Sequence, residues 1–191
     1  GAWWHPGPET ARFAGLGAGT LTQACLEFLP LEDVEAIELR PAVPELAMRY
    51  LGLRNDSRLY IRVGDAVELL ETAESADLIF VDLYTDVGPA AAHLAWNFLR
   101  QCQHKLAPGG WLIINQWGTD EGKPLGAALL RGLFHRHYWE CSVKEGNVVL
   151  LVPADLEQTL DFAGLRERAA ALEPRLGYSL DSLIAALRPA S

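Results

Sequence analysis

The chain is 191 residues long, which is enough for one domain with a substantial core. Its formal net charge of −9 argues against binding along a nucleic-acid backbone, because such binding depends on clustered Lys and Arg. Hydrophobic residues make up 50% of the chain, yet no uninterrupted apolar run is long enough to span a membrane. The sequence therefore predicts a single globular domain over residues 1–191, with neither nucleic acid nor membrane as a partner.

The cysteines and the chain start bear on the cellular compartment. Cys25, Cys102 and Cys141 are widely spaced and odd in number, and they form neither a disulfide framework nor a C-x-x-C metal motif. This pattern favours the reducing cytoplasm. No metal site is predicted, because alternate histidines at the end of a helix, such as His135 and His137, are usually solvated. The chain begins without an initiator Met, and we expect that natural N-terminal residues are missing.

Predicted strands and helices alternate along most of the chain. After an irregular lead-in over residues 1–10, a short strand at residues 11–14 enters a loop with glycine at every second position. Four more short apolar runs are predicted as strands, over residues 34–39, 59–63, 77–82 and 111–115. Helices are predicted between them, over residues 20–29, 41–51, 67–72, 90–106 and 124–136.

The end of the chain departs from this alternation. A hairpin is predicted over residues 138–143 and 147–152. Two closing helices follow within residues 155–191, with Asp155 and Ser179 as their N-caps. These helices either cover the sheet or form the surface of a homodimer.

The order of the elements predicts the fold class. Strict alternation of strands and helices is typical of an α/β fold with a doubly wound, mostly parallel sheet and helices on both faces. The hairpin adds terminal antiparallel strands to that sheet. One helical face is expected to be buried in the helix over residues 41–51, formed by Val43, Leu46, Ala47, Tyr50 and Leu51.

The glycine-rich loop carries the first functional signal. Gly15, Gly17 and Gly19 alternate with other residues, and a helical pattern begins at Thr20. Because glycine has no side chain, backbone N–H groups of such a loop can approach a ligand closely. The loop therefore predicts a nucleoside-binding site, and a tight turn without a ligand is the alternative.

Three acids at the ends of later strands extend this pattern. Glu38 ends the second strand 19 residues past Gly19, a spacing that suits an acid binding both hydroxyls of a ribose. Asp65 can accept the exocyclic amine of an adenine, with the Ala66 backbone at a ring nitrogen. Asp82 would face the reacting group, where it orients and deprotonates an attacking amine or stabilises a sulfonium cation. Each acid taken alone is also consistent with a helix cap or a loop anchor.

Together these motifs resemble the spermidine/spermine synthase family. The matching segments are residues 14–19, 36–39, 63–66, 79–82 and 88–90. The resemblance implies a class I methyltransferase Rossmann fold and a co-substrate carrying adenosine and a sulfonium, either decarboxylated S-adenosylmethionine or S-adenosylmethionine. It also implies that Glu38 binds ribose, that Asp65 and Ala66 contact adenine, and that Asp82 activates a small-molecule amine for aminopropyl transfer.

Two positions differ from the pattern of that family. The synthases carry an aspartate in the glycine loop, which holds the amine end of the decarboxylated co-substrate, and this chain has Ala18. They carry a second aspartate three positions after the catalytic one, where this chain has Thr85 followed by Asp86 as a candidate substitute. The family's N-terminal β-domain also has no counterpart in this sequence. Ala18 would remove a repulsion against the carboxylate of S-adenosylmethionine.

Aminopropyl transfer is therefore the first prediction for the reaction. Methyl transfer from S-adenosylmethionine to a small molecule and a non-catalytic nucleoside-binding relative remain open. A dinucleotide dehydrogenase is disfavoured, because acids such as Asp65 and Asp82 suit adenosine and a cation better than a nicotinamide. Three further side chains are candidates for binding the amine substrate: Tyr84 and Asp86 at the expected pocket mouth, and Gln116 after the fifth strand.

Overall fold

A computed structural model of the chain describes residues 7–85, 88–89, 96–143, 146–155 and 157–190, with the backbone alone at 84–85 and 88–89. Within these residues the chain forms ten strands and seven helices. The strands are β1 (Thr10–Ala14), β2 (Asp33–Glu38), β3 (Leu59–Val63), β4 (Ala76–Val81), β5 (Tyr84–Thr85), β6 (Gly88–Pro89), β7 (Leu106–Trp117), β8 (Trp139–Ser142), β9 (Asn147–Pro153) and β10 (Leu187–Pro189). The helices are α1 (Thr20–Phe28), α2 (Ala42–Tyr50), α3 (Ala66–Thr72), α4 (Trp96–His104), α5 (Ala127–Phe134), α6 (Phe162–Leu176) and α7 (Asp181–Ala186).

Eight of these strands form one mixed sheet in the order β10-β8-β9-β7-β4-β1-β2-β3. Strands β3, β2, β1, β4 and β7 run parallel to one another, while β9, β8 and β10 join with antiparallel pairings. This arrangement confirms the predicted doubly wound, mostly parallel sheet with a terminal antiparallel hairpin. Strands β5 and β6 form a separate two-stranded ribbon directly after β4.

Two hydrophobic clusters bury the two faces of the sheet. On the first face, here called face A, Phe13 of β1 stacks on Phe80 of β4 at 4.5 Å between ring centroids, under α1, α6 and α7. On the opposite face, face B, residues such as Ile79 and Leu112 pack under α3, α4 and α5. Because β4 is covered on both faces, its run of Leu, Ile, Phe and Val is apolar throughout rather than alternating.

The helix α2 differs from its prediction. Of the five residues expected to form a buried stripe, only Ala47 is buried, whereas Leu46, Tyr50 and Leu51 are each about half exposed or more. The helix connects β2 to β3, and β3 is the last strand of the sheet. An edge position leaves less sheet surface for a helix to cover, which accounts for the exposed apolar face.

The closing helices begin later than predicted. The Asp155 side chain accepts a hydrogen bond from the Glu157 N–H in a local turn, so it does not cap a helix. The N-cap of α6 is Asp161, whose carboxylate accepts from the N–H groups of Ala163 and Gly164 at 3.1 Å. Among the described residues, no helix is both long enough and apolar enough to cross a membrane.

Candidate functional site

The strand order places a crevice at the carboxyl ends of the parallel strands. From β1 the chain moves outward to β2 and β3, and then crosses back to β4 on the other side of β1. The order therefore reverses between β1 and β4, where open α/β sheets bind ligands. Backbone hydrogen bonds extend the sheet past these ends, from Gly15 to Ile37 and from Asp82 to Ala14, each at 2.9 Å. The glycine loop and Asp82 are thereby fixed next to each other.

The three loop glycines have different reasons to be glycine. All three have positive φ angles, of 100° at Gly15, 54° at Gly17 and 75° at Gly19. A Cβ at Gly15 would collide with the backbone carbonyl of Asp82, and one at Gly19 would lie 2.9 Å from a Leu53 methyl group. At Gly17, by contrast, no described atom lies within 4 Å of that position. Gly17 therefore presents the open side of the loop, while its two neighbours allow close packing.

Glu38 is bound to the loop itself. Its Oε2 accepts hydrogen bonds from the N–H groups of Leu16 at 3.3 Å and Gly17 at 3.2 Å, and its Oε1 accepts from the Arg40 N–H at 3.0 Å. The loop and the end of β2 therefore form one unit. Two of the loop N–H groups, which were expected to approach a ligand, are therefore bonded to the acid.

Asp65 lies at the start of α3, one strand further out. Its Oδ1 accepts from the Val67 N–H at 2.8 Å, so the carboxylate serves as the N-cap of this helix. The side chain is exposed, and the adjacent Ala66 is buried against face B. Capping uses one carboxylate oxygen, and the other can still accept a hydrogen bond from a ligand amine.

Asp82 lies at one end of a hydrogen-bonded chain of polar side chains at the tips of β4, β7 and β9. Its Oδ1 accepts a hydrogen bond from the Asn115 side-chain N–H at 3.0 Å, and Asn115 in turn accepts from the Asn147 side chain at 3.0 Å. Partial burial raises the pKa of Asp82 above its ordinary value, while the bond from Asn115 lowers it. A carboxylate with a raised pKa and a fixed orientation is suited to accept a proton from a substrate.

Asn115 and Asn147 were missed by the sequence analysis. A signal for Asn115 was present, because it ends an apolar run just as Asp82 does, and the two runs are neighbouring parallel strands. Val81 pairs with Ile114 in the sheet, so the next residue on each strand lies side by side. No comparable signal existed for Asn147, which reaches the site through the antiparallel β9.

Of the three candidate substrate residues, the structure describes the side chain of Gln116 alone. Gln116 is fully buried, and alternation along β7 places it on face B, opposite to Asn115. Its side-chain oxygen accepts from the Trp117 N–H at 3.0 Å. Tyr84 belongs to β5, of which the structure describes the backbone only. Asp86 lies outside the described residues.

No group of three or more His, Cys, Asp and Glu side chains that could hold a metal ion occurs among the residues that the structure describes. The crevice is therefore built, in its described part, from a glycine loop, acids and amides. Such a set can bind hydroxyls and amines through hydrogen bonds, and can place a carboxylate beside a cationic centre.

Comparisons with known proteins identify relatives of two kinds. An eEF1A lysine and N-terminal methyltransferase from Danio rerio is 31% identical over 119 residues, which cover 56% of this chain and 17% of the relative. A polyamine aminopropyltransferase from Vibrio vulnificus is 25% identical over 156 residues, which cover 79% of this chain and 52% of that enzyme. The chain thus spans about half the length of the bacterial relative and a smaller part of the fish protein.

A solved structure and a family profile complete the comparison. The human methyltransferase-like protein 13 in complex with SAH superposes with a TM-score of 0.74 at 26% identity, covering 90% of this chain and 83% of that one. This likeness agrees with the predicted methyltransferase type of Rossmann sheet. The profile of the spermine/spermidine synthase domain matches residues 15–123, which is more than half of the chain and includes the glycine loop, the strand-end acids and β7. The chain therefore belongs to the spermine/spermidine synthase family.

Proposed function

We propose that this protein transfers an alkyl group from an adenosyl sulfonium co-substrate to an amine. The observation that carries the proposal is the placement of Asp82, which is oriented by Asn115 and lies directly beside the glycine loop. The loop and Glu38 would hold the nucleoside, and Asp65 with the Ala66 backbone would contact the adenine. The sulfonium would then lie over the tips of β1 and β4, within reach of the carboxylate.

The residues account for each bond change in such a reaction. An attacking amine must lose a proton to expose its lone pair, and the second oxygen of Asp82 has no hydrogen bond among the described residues. That oxygen would accept the proton while the nitrogen forms a bond to the carbon on sulfur. The carbon–sulfur bond breaks, and its electron pair stays on sulfur as a neutral thioether. The raised pKa of Asp82 favours this proton transfer.

Methyl transfer from S-adenosylmethionine is the reaction that the loop supports best. Ala18 is exposed on the glycine loop and carries no charge, so it would not repel the carboxylate of S-adenosylmethionine. The human methyltransferase-like protein in complex with SAH and the fish protein, named as an eEF1A lysine and N-terminal methyltransferase, support the same direction.

Aminopropyl transfer from decarboxylated S-adenosylmethionine to a small-molecule amine is the second candidate. It is favoured by the family profile and by the relative named as a polyamine aminopropyltransferase. The two candidates use the same nucleoside site and the same base. They differ in the end of the co-substrate that would lie near Ala18. This end carries a carboxylate in S-adenosylmethionine and an ammonium group without a carboxylate in the decarboxylated form.

Calorimetric titration with the two co-substrates separates these candidates. If the protein transfers a methyl group, it should bind S-adenosylmethionine more tightly than the decarboxylated form. Ala18→Asp should reverse this preference, because the new carboxylate repels the carboxylate of S-adenosylmethionine and pairs with the ammonium group of the decarboxylated ligand. A wild-type preference for the decarboxylated ligand would instead establish aminopropyl transfer. Binding without turnover on any amine, including lysine-containing peptides and diamines, would support a non-catalytic relative, and absence of binding by both ligands would refute the proposal.

A further inference from the structure

A second pocket lies between the helices α4 and α5, on the outer side of the layer that covers face B. It has a volume of about 280 Å³ and is lined by Trp96, Arg100, Gln103, His104, Leu133 and His135. The inner sides of α4 and α5 bury Phe98, Leu99 and Phe134 against the sheet. This helical layer therefore separates the pocket from the crevice, whose central residue Asp82 is bonded to Asn115 on face A.

The basic lining of this pocket contrasts with the negative net charge of the whole chain. The protein has a net charge of −9, yet Arg100 and two histidines line the pocket, and none of its described lining residues is acidic. Trp96, Arg100 and His104 are spaced four residues apart along α4, so they form one stripe on the same side of that helix. Trp96 is 41% exposed, which leaves part of its indole ring open to a ligand.

The backbone at the end of α5 supports a role for His135. His135 and Arg136 have φ angles of 50° and 64°, and they are the non-glycine residues with positive φ among those described. The equivalent position at the end of α6 is Gly177, with φ of 78°, which adopts this conformation without a side-chain penalty. Two consecutive non-glycine residues in this region are energetically unfavourable. Here the unfavourable turn places the His135 imidazole at the pocket.

We propose that this pocket binds a small phosphorylated ring compound. The planar guanidinium of Arg100 presents paired N–H donors that match the oxygens of a phosphate, and the imidazoles of His104 and His135 add further donors. The exposed indole of Trp96 offers a flat surface for the ring, and Gln103 offers an amide for its polar edge. The volume is at the lower end for small-molecule pockets, which limits the ligand to a single ring with one phosphate.

Phenyl phosphate is a suitable probe, because it contains the proposed chemistry and lacks the adenosine that the crevice is proposed to bind. Its titration is followed by NMR through the indole N–H signals, with that of Trp96 assigned by its loss in Trp96→Phe. We expect a saturable shift of the Trp96 signal. Inorganic phosphate and phenol, titrated separately, should each bind at least about tenfold more weakly, because each makes only one of the two sets of contacts. Saturating S-adenosylmethionine should leave the phenyl phosphate affinity unchanged.

Variants then test the pocket residues. Arg100→Gln should weaken phenyl phosphate binding by about tenfold or more. Arg49→Gln is the matched control, because Arg49 is an exposed arginine on α2, whose buried Ala47 packs on face A. If Arg100→Gln loses the folded amide spectrum, His135→Gln is compared with the same control. The proposal would be overturned if the pocket variant and the control bound phenyl phosphate with equal affinity, or if the indole N–H signal of Trp96 showed no saturable shift. It would also be overturned if inorganic phosphate bound as tightly as phenyl phosphate.

Discussion

The hydrogen bond from Asn115 to Asp82 leads to the sharpest prediction for the crevice. Asn115→Leu removes a donor that lies 3.0 Å from the Asp82 carboxylate and keeps a side chain of similar size at the tip of β7. Since this bond lowers the pKa of Asp82 while burial raises it, its loss should raise the pKa further. The carboxylate would then be protonated over a wider range of acidic pH.

The size of the effect follows from the energy of such a bond. A hydrogen bond to a charged group contributes about 1.5–3 kcal/mol, and the lower value applies because Asp82 is only partly buried. About 1.4 kcal/mol corresponds to a tenfold change in the protonation equilibrium. At pH values below the plateau, alkyl transfer by Asn115→Leu should therefore fall by about tenfold. On the alkaline plateau, where Asp82 is ionised in both proteins, most of this loss should disappear.

The assay is the dependence of kcat/KM on pH, with the Asp82 carboxyl group titrated in parallel by carbon-detected NMR, a measurement that does not depend on activity. Asn147→Ala serves as the graded control. Asn147 donates to Asn115 and is thus one hydrogen bond further along the chain from Asp82, so its effect should have the same direction and be smaller. An equal loss at every pH, or an unchanged carboxyl titration in Asn115→Leu, would refute the reasoning that this bond sets the ionisation of Asp82.

Four further predictions test the core and the crevice. Phe13→Ala removes one ring of the stacked pair with Phe80 and should lower the free energy of unfolding by about 3–5 kcal/mol in urea denaturation, whereas Tyr60→Ala, at a residue that is 65% exposed, should change it by less than about 0.5 kcal/mol. Asp82→Asn should raise the free energy of unfolding at neutral pH. Because the pKa of the Asp82 carboxyl group is raised in the folded protein, the stability that this group contributes is present at low pH and is lost as pH rises through the folded-state pKa. The difference in stability between Asp82→Asn and the wild type should therefore vanish in acid. Gly15→Ala should lower both the melting temperature and nucleoside affinity, since its Cβ would meet the Asp82 carbonyl, and an undiminished affinity would contradict that packing. Glu38→Gln should weaken nucleoside binding and speed amide hydrogen exchange in the glycine loop, and unchanged exchange would contradict the role of Glu38 in holding the loop.

The parallel core of the sheet was predictable, because short apolar runs at regular spacing leave few alternatives to an alternating α/β fold. The start of β7 was not. A strand was expected over residues 111–115, but β7 begins at Leu106 and includes Gly109 and Gly110. The pairing with β4 shifts between Ala76 and Leu78, and a Cβ at Gly110 would lie 2.8 Å from the Asp77 carbonyl. These glycines serve a bulge and a close backbone approach, which composition alone does not distinguish from a turn.

For the crevice, the sequence identified what lies at the strand ends but not what those groups contact. The spacing from the glycine loop to Glu38 and the acids after β3 and β4 placed these residues at one edge of the sheet, as the structure has them. The bonds from Asn115 to Asp82 and from Asn147 to Asn115 depend on strand neighbours that are 33 and 32 residues apart in sequence. Local patterns do not contain that information until the strand order is known. Conversely, Gln116 was chosen because it follows the fifth predicted strand, and the alternation along β7 places its side chain on face B, opposite to Asn115.

The contacts of Glu38 change how the glycine loop should be understood. A carboxylate can accept about four hydrogen bonds, and here three come from backbone N–H groups, of Leu16, Gly17 and Arg40. About one acceptor position therefore remains on Glu38 for a ribose hydroxyl of the proposed nucleoside. The loop glycines therefore act chiefly through geometry: Gly15 lets the loop lie on the Asp82 backbone, and Gly17 leaves open space above it. An acid fixed in this way needs no rearrangement when a nucleoside binds, so less conformational entropy is lost on binding. This preorganisation is common to methyl and aminopropyl transfer, and the choice between them then depends on the residues beyond the ribose, beginning with Ala18.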